Sequence, residues 1–174
     1  MKNGLIIYSS TDGHTKTIAE YIFNNLKNDM SYKLVSIQEA NDFHLYNFNK
    51  VIIGASIRYG KYQDELYNFV NDNFKELNNT KSFFFSVNAV ARKSNKNSIN
   101  SNPYILKFFS KNLWKPDNIA VFAGKIDYKK YRFLDKHIIR FIMWLTKGPT
   151  NLSKSYEFTN WKDVDKFIKI LFKG

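Results

Sequence analysis

The segment Ser9-Ser10-Thr11-Asp12-Gly13-His14-Thr15 gathers residue types suited to holding an anion. Hydroxyl side chains can donate to phosphate oxygens and Gly13 permits close backbone approach. A helix starting just downstream would present free N–H groups and a partial positive charge. Read alone, the loop equally fits an ordinary turn in which Asp12 or Thr15 caps that helix. Asp12 is the odd member, because an ionised carboxylate donates no hydrogen bond to phosphate and repels it. It is expected to point away, capping backbone N–H groups. Neither a GxGxxG pattern nor a Walker lysine is present, which disfavours a dinucleotide or ATP site. His14, His44 and His137 lack metal-site spacing and no HExxH pair occurs, so no catalytic metal is expected.

Such residues need a scaffold, and the chain alternates short apolar runs with amphipathic stretches. Residues 5–8, 33–37, 51–55, 82–87 and 119–124 read as strands. Residues 15–28 carry Ile18, Ala19, Ile22 and Leu26 on one helical face, and 65–77 repeat Leu66, Phe69, Val70, Phe74 and Leu77 at the same spacing. After a polar loop at 93–102, Pro103 opens a helix to about Lys111. The last helix, 161–172, turns Val164, Phe167, Ile168 and Leu171 inward, with Asn160 and Asp163 placed as a capping-box variant. Strands alternating with helices imply an α/β parallel sheet, whose ligands gather beyond the carboxyl ends of the strands. Residues 54–62 and 86–93 leave two such ends, and 127–152 stands outside the alternation as an insertion.

Composition narrows the chemistry. With 174 residues, 44% of them hydrophobic and 17% aromatic, the chain is globular rather than disordered, and one domain spanning 1–174 is expected. The absence of cysteine removes thiolate metal sites, iron–sulfur clusters and thiol redox catalysis, so any redox role requires a bound cofactor. Residues 1–8 run straight into the loop, unlike a secretory leader, and no stretch is long enough to span a bilayer. A cytoplasmic protein is expected. A net charge of +12 implies an anionic partner, whether nucleic acid, an acidic membrane surface or a polycarboxylate. No nucleic-acid-binding signature accompanies that charge, so nucleic acid is not expected.

Ser10, Thr11, Gly13 and Thr15 match the loop with which flavodoxins hold the FMN phosphate, and an Asp before the Gly resembles a narrower branch. Ile53-Gly54-Ala55-Ser56-Ile57-Arg58-Tyr59-Gly60 and Phe85-Ser86-Val87-Asn88-Ala89-Val90-Ala91-Arg92-Lys93 closely resemble the menaquinone-dependent protoporphyrinogen IX dehydrogenase family. So do Trp114-Lys115-Pro116-Asp117, Ala123-Gly124 and 128–135. The resemblance implies a flavodoxin-like, doubly wound five-stranded parallel sheet of order 2-1-3-4-5, with FMN as cofactor. The phosphate would lie on Ser10, Thr11, Asp12, Gly13, His14 and Thr15. The ring would lie between Ser56, Ile57, Arg58, Tyr59 and Gly60 on one side and Val87, Asn88, Ala89, Val90, Ala91 and Arg92 on the other. Backbone N–H groups of 56–59 and 88–91 would meet the ring edge and Tyr59 would stack on its face, while Arg58 or Arg92 would stabilise reduced flavin or grip a substrate carboxylate. The implied activity is oxidation of protoporphyrinogen IX to protoporphyrin IX for haem synthesis, with electrons passed to menaquinone or another membrane quinone. No nucleophile–base triad or carboxylate dyad stands out, and catalytic residues are left unassigned.

The insertion is basic and aromatic. Lys129, Lys130, Arg132, Lys136, Arg140 and Lys147 lie among Tyr128, Tyr131, Phe133, Phe141 and Trp144. A helix over 133–145 would put Phe133, Leu134, His137, Ile138, Phe141, Ile142 and Leu145 on one face. That face suits either a membrane interface, making the protein peripheral at the inner face of the cell membrane, or docking on the domain. His137 could shuttle protons or be merely packed or solvated. A flavodoxin-like electron carrier, a quinone reductase without porphyrinogen activity, and a basic binding module without flavin remain the alternatives, and a homo-oligomer is compatible with each.

Overall fold

A computed structural model describes residues 3–28 and 31–173; Met1 and Lys2, part of the opening run considered above, lie outside them. Five strands, β1 (Asn3–Ser9), β2 (Ser31–Ser36), β3 (Lys50–Ser56), β4 (Lys81–Asn88) and β5 (Asn118–Ala123), form a parallel sheet of order β2-β1-β3-β4-β5. This is the expected order. The central strands are buried on both faces, so they read as continuous apolar runs, as parallel strands covered by helices do.

Side-chain alternation sorts the two cores. Leu5, Ile7, Val51, Ile53 and Phe84 face α2 (Asp64–Asn79) and α3 (Pro103–Phe109), where they meet Leu66, Phe69, Val70, Ile105 and Phe108. Ile6, Ile52, Phe83 and Phe85 face α1 (His14–Leu26) and α5 (Trp161–Lys173), where Ile18, Ile22, Leu26, Val164, Phe167 and Leu171 close over them. At about 25 cal/mol per Å2 of apolar surface, burial of these side chains is the main force holding the layers together. Asn160 and Asp163 start α5 as expected: Asn160 Oδ1 accepts from the Lys162 N–H at 3.2 Å, and its amide donates to Asp163 at 2.8 Å.

The Trp114–Asp117 motif turns out to be structural. Trp114 is buried against Phe84 and Phe109, and its indole N–H donates to Ser82 Oγ at 2.9 Å. The Asp117 carboxylate accepts from the Ser82 N–H at 2.8 Å, which fixes the entry of β5 beside the start of β4.

The insertion begins earlier and ends later than the sequence suggests. Two three-residue strands, β6 (Lys125–Asp127) and β7 (Ser155–Glu157), form an antiparallel ribbon that carries α4 (Phe133–Leu145) at its end. Met143 is the buried residue of α4, packed with Ile126 and Tyr128, and Ile139 is partly buried beside it. The helix therefore docks through its Ile139–Met143 side. The apolar face read from the sequence is outward, with Phe133, Leu134, Phe141 and Leu145, joined by Trp144, each more than half exposed.

Candidate functional site

The loops after β1, β3 and β4 meet at the carboxyl edge of the sheet, and β6 and α4 lean over them. Together they enclose a cleft of about 390 Å3, within the range of small-molecule sites. Ser10, Asp12, His14, Thr15, Ser56, Ile57, Arg58, Tyr59, Gly60, Val87, Asn88, Ala89 and Val90 line it. Thr11 and Gly13 line an adjoining depression of about 320 Å3, which shares Asp12, His14, Lys125 and Tyr131 with the cleft. Ala91 and Arg92, expected at the ring, are not on the cleft wall.

The first loop leaves several donors unused. Gly13 has φ +88, a left-handed conformation that places it just before α1, and no side chain caps the helix start. Capping by Asp12 or Thr15 is therefore not what the structure contains. Thr15 is buried and its Oγ1 has no hydrogen-bond partner. Ser10 Oγ accepts from the Gly13 N–H at 3.0 Å and Thr11 Oγ1 accepts from Gln63 Nε2 at 2.8 Å, so both hydroxyls keep a proton to donate. Gln63 also accepts from Ser9 at 2.6 Å, tying this loop to the start of α2.

Asp12 turns to Arg58 rather than to backbone N–H groups. The guanidinium donates to both Asp12 oxygens, at 2.5 and 2.6 Å, and through its other nitrogen to Asp135 of α4 at 3.0 Å. It lies 5.0 Å from the Tyr59 ring centre and 5.1 Å from that of Tyr131. Burial opposes its charge, but hydrogen bonds to Tyr59 and Asp12 and the Asp12 charge outweigh that and raise its pKa. Tyr59 hydrogen-bonds the other oxygen of Asp135. Arg58 offsets part of the Asp12 charge while sharing its own with Asp135, and the cluster ties the insertion to the first and third loops.

The loop after β3 reverses within a minimal hairpin. Arg58 and Lys61 exchange backbone hydrogen bonds at 2.9 and 3.2 Å, with Tyr59 at φ 50 and Gly60 at φ 79 between them. Positive φ at both central positions is the hairpin-turn pattern that favours Asn or Gly, and a bulky Tyr there is strained. Bonds from Ile57 to Val87, from Arg58 to Lys61 and from Ala91 to the Asn88 side chain occupy three of the N–H groups expected at the ring edge. Among the described residues, those of Tyr59, Gly60, Ala89 and Val90 make no such bond.

Arg92 has a different task. It donates to Ala89 O at 2.8 Å and to Thr146 O and Oγ1 at 2.9 and 2.8 Å, so it holds the carboxyl end of α4. Partial burial lowers its pKa. Both expected arginines are thus engaged in fixing α4, one at each end.

Several residues escaped the sequence reading. Tyr104, Ile126, Ile139 and Met143 also line the cleft beside Tyr131, one of the aromatics noted in the insertion, and so does Lys125, which makes no ion pair among the described residues. Lys125 directly follows Gly124 at the carboxyl end of β5, a position that could have flagged it. Burial lowers the His14 pKa; Glu157 opposes this and Lys125 reinforces it. His14 Nε2 meets Thr159 Oγ1 at 2.6 Å, and Thr159 donates onward to Ala123 O. Burial and the Asp12 charge push the Tyr131 hydroxyl up to about 12, so it stays protonated.

Residues 5–153 match the family model described as a flavodoxin domain. A protoporphyrinogen IX dehydrogenase [quinone] of Leishmania major is 41% identical over 165 residues, covering 94% of this chain and 71% of that protein. The protein of the same name from Escherichia coli K12 is 37% identical over 166 residues, covering 95% and 92%. Among solved structures, the two-electron reduced flavodoxin of Megasphaera elsdenii superposes with a TM-score of 0.51 at 15% identity. It covers 68% of this chain and 84% of that one, a likeness of fold.

Proposed function

The chain belongs to the flavodoxin-domain family, in the branch of the quinone-dependent protoporphyrinogen IX dehydrogenases, and on that premise we propose that it oxidises protoporphyrinogen IX to protoporphyrin IX with bound FMN and passes the electrons to a quinone. The observation that carries this reading is the orphaned Thr15 hydroxyl at an uncapped helix start, opening into a cleft walled by Ile57, Val90, Ile139 and Met143. The polar end fits a phosphate and the apolar walls fit a flat ring system. FMN would supply the redox chemistry, in which the six electrons and six protons lost by the porphyrinogen leave in three two-electron rounds, each reducing one quinone to its quinol.

The protein's part is positional and electrostatic. Ser10, Thr11, Thr15 and the first N–H groups of α1 hold the phosphate, and Lys125 adds a positive charge at the same end. N–H groups of Tyr59, Gly60, Ala89 and Val90 are the donors available to a ring edge. The Arg58–Asp12–Asp135 cluster keeps the carboxylate off the anion and holds α4 as the outer wall, which keeps water from the reacting face.

The exposed face of α4 is assigned to an anionic bilayer. Phe133, Leu134, Phe141, Trp144 and Leu145 offer apolar surface, and Lys136, Arg140 and Lys147 rim it. No helix among the described residues is long and apolar enough to cross a membrane, so contact would be peripheral. A quinone in the bilayer then lies close to the cleft that α4 roofs.

The test is steady-state porphyrin formation under anaerobic conditions, with FMN-reconstituted protein, protoporphyrinogen IX and a menaquinone analogue. Quinone-dependent porphyrin fluorescence above the spontaneous rate supports the reading. Tight flavin binding without porphyrin formation would leave an electron carrier or quinone reductase in its place.

A further inference from the structure

A tetrapyrrole with two propionate side chains needs cations near its carboxylates, yet both arginines beside the cleft are already occupied. Arg58 is held by Asp12 and Asp135, and Arg92 by the end of α4. A second cavity, of about 270 Å3, lies on the far side of the hairpin turn and shares Ile57, Gly60 and Tyr104 with the main cleft. Lys107 and Lys111 line it, and among the described residues neither has an acidic partner within 4 Å. Lys61 and Asp64 line it too, paired with each other at 3.1 Å, so Lys107 and Lys111 are left as its excess positive charge. Tyr67 and Tyr104 also line this cavity, their hydroxyls make no hydrogen bond among the described residues, and burial raises the pKa of both, which keeps them donors.

We propose that this side cavity is the carboxylate subsite of the substrate, with Lys107 and Lys111 pairing with its propionates and the Tyr67 and Tyr104 hydroxyls donating beside them. The proposal rests on the porphyrinogen reading and adds where the polar edge of the macrocycle goes. The apolar body lies in the main cleft, and the shared wall at Ile57, Gly60 and Tyr104 lets one molecule reach both cavities. Exposed lysines suit this role, because an ammonium on a flexible stem can follow a carboxylate during turnover without a fixed, desolvated pair.

The experiment compares protoporphyrin IX with its dimethyl ester, which lacks the charges, as ligands of FMN-loaded protein by fluorescence titration, alongside KM and kcat for protoporphyrinogen IX. The Lys107→Gln/Lys111→Gln variant should bind the diacid about tenfold more weakly, as loss of two exposed ion pairs implies. Its affinity for the diester and for FMN should not change, and its loss should appear in KM more than in kcat. Lys162→Gln/Lys169→Gln, removing the same charge from α5, should leave all of these unchanged. Equal affinity of the wild-type protein for diacid and diester, or an undiminished Lys107/Lys111 variant, would overturn the subsite while leaving the dehydrogenase reading intact. A wild-type protein that neither binds porphyrin nor oxidises porphyrinogen would remove both.

Discussion

Replacing Arg58 by Ala tests whether one side chain both neutralises the phosphate loop and anchors the insertion. The Arg58 side chain is 16% exposed, against 36% for Asp12 and 33% for Asp135. The pairs sit between a free surface and a sealed interior. Two partly screened pairs at about 0.5 kcal/mol each, and contacts with two aromatic faces adding roughly 0.5 kcal/mol each, give a loss of about 2 kcal/mol. In a chain of this size that corresponds to a fall in Tm of roughly 4 to 8 °C. Asp12→Asn removes one pair and should cost about half as much or less. Amide hydrogen exchange should rise in α4, at 133–139 before 140–145, because Arg92 still holds the far end. FMN affinity should fall in Arg58→Ala, where the Asp12 charge is left uncompensated, and recover in the Asp12→Asn/Arg58→Ala double variant. Unchanged exchange in α4 with a Tm within about 1 °C of wild type, or no recovery in the double variant, would refute the tether.

Thr15→Val should stabilise the FMN-free protein by about 1 kcal/mol, because a buried hydroxyl without a partner disappears, yet weaken FMN roughly tenfold while sparing riboflavin; thermal melts and flavin fluorescence titrations read both effects. His14, whose folded-state pKa lies below 6.5, contributes a pH term of definite sign. The unfolded chain takes up its proton first, so stability falls as pH drops through that value and levels off below the folded pKa. His14→Gln should flatten this part of a Tm–pH profile in the flavin-free protein. Phe141→Ala/Trp144→Ala should reduce sedimentation with anionic vesicles by about tenfold or more, from roughly 1 kcal/mol of lost apolar insertion per ring, with little change in porphyrinogen oxidation in detergent.

Much of the scaffold was legible because its signals are local. The strands, α1, α2 and α5 follow from apolar periodicity, and the bounds expected for α4 coincide with Phe133–Leu145. Periodicity could not say which side of α4 is buried. Seven apolar and amphipathic positions suggested one face, whereas Ile139 and Met143 are the ones that dock, since the partners Ile126 and Tyr128 lie in and just after a ribbon strand too short to announce itself. The Asp12–Arg58 pair was hidden for a related reason. It joins residues 46 positions apart, and only the sheet topology brings them together. Arg92 looked like a cleft residue because its neighbours are, but the turn at Ala89–Arg92 rotates its side chain to the end of α4. The Asp at position 12 looked like an obstacle to anion binding and is instead half of the fastening that closes the site.

The measurement that tests the central claim most directly is an anaerobic single-turnover mix of oxidised, FMN-loaded protein with protoporphyrinogen IX, without quinone, followed by addition of a menaquinone analogue. The expected result is loss of the oxidised flavin absorbance on adding porphyrinogen and its return on adding quinone, with porphyrin fluorescence rising further as quinone is supplied. Flavin absorbance that persists in the presence of porphyrinogen, while chemical reduction and quinone reoxidation still work, would contradict it and assign the site to another electron donor.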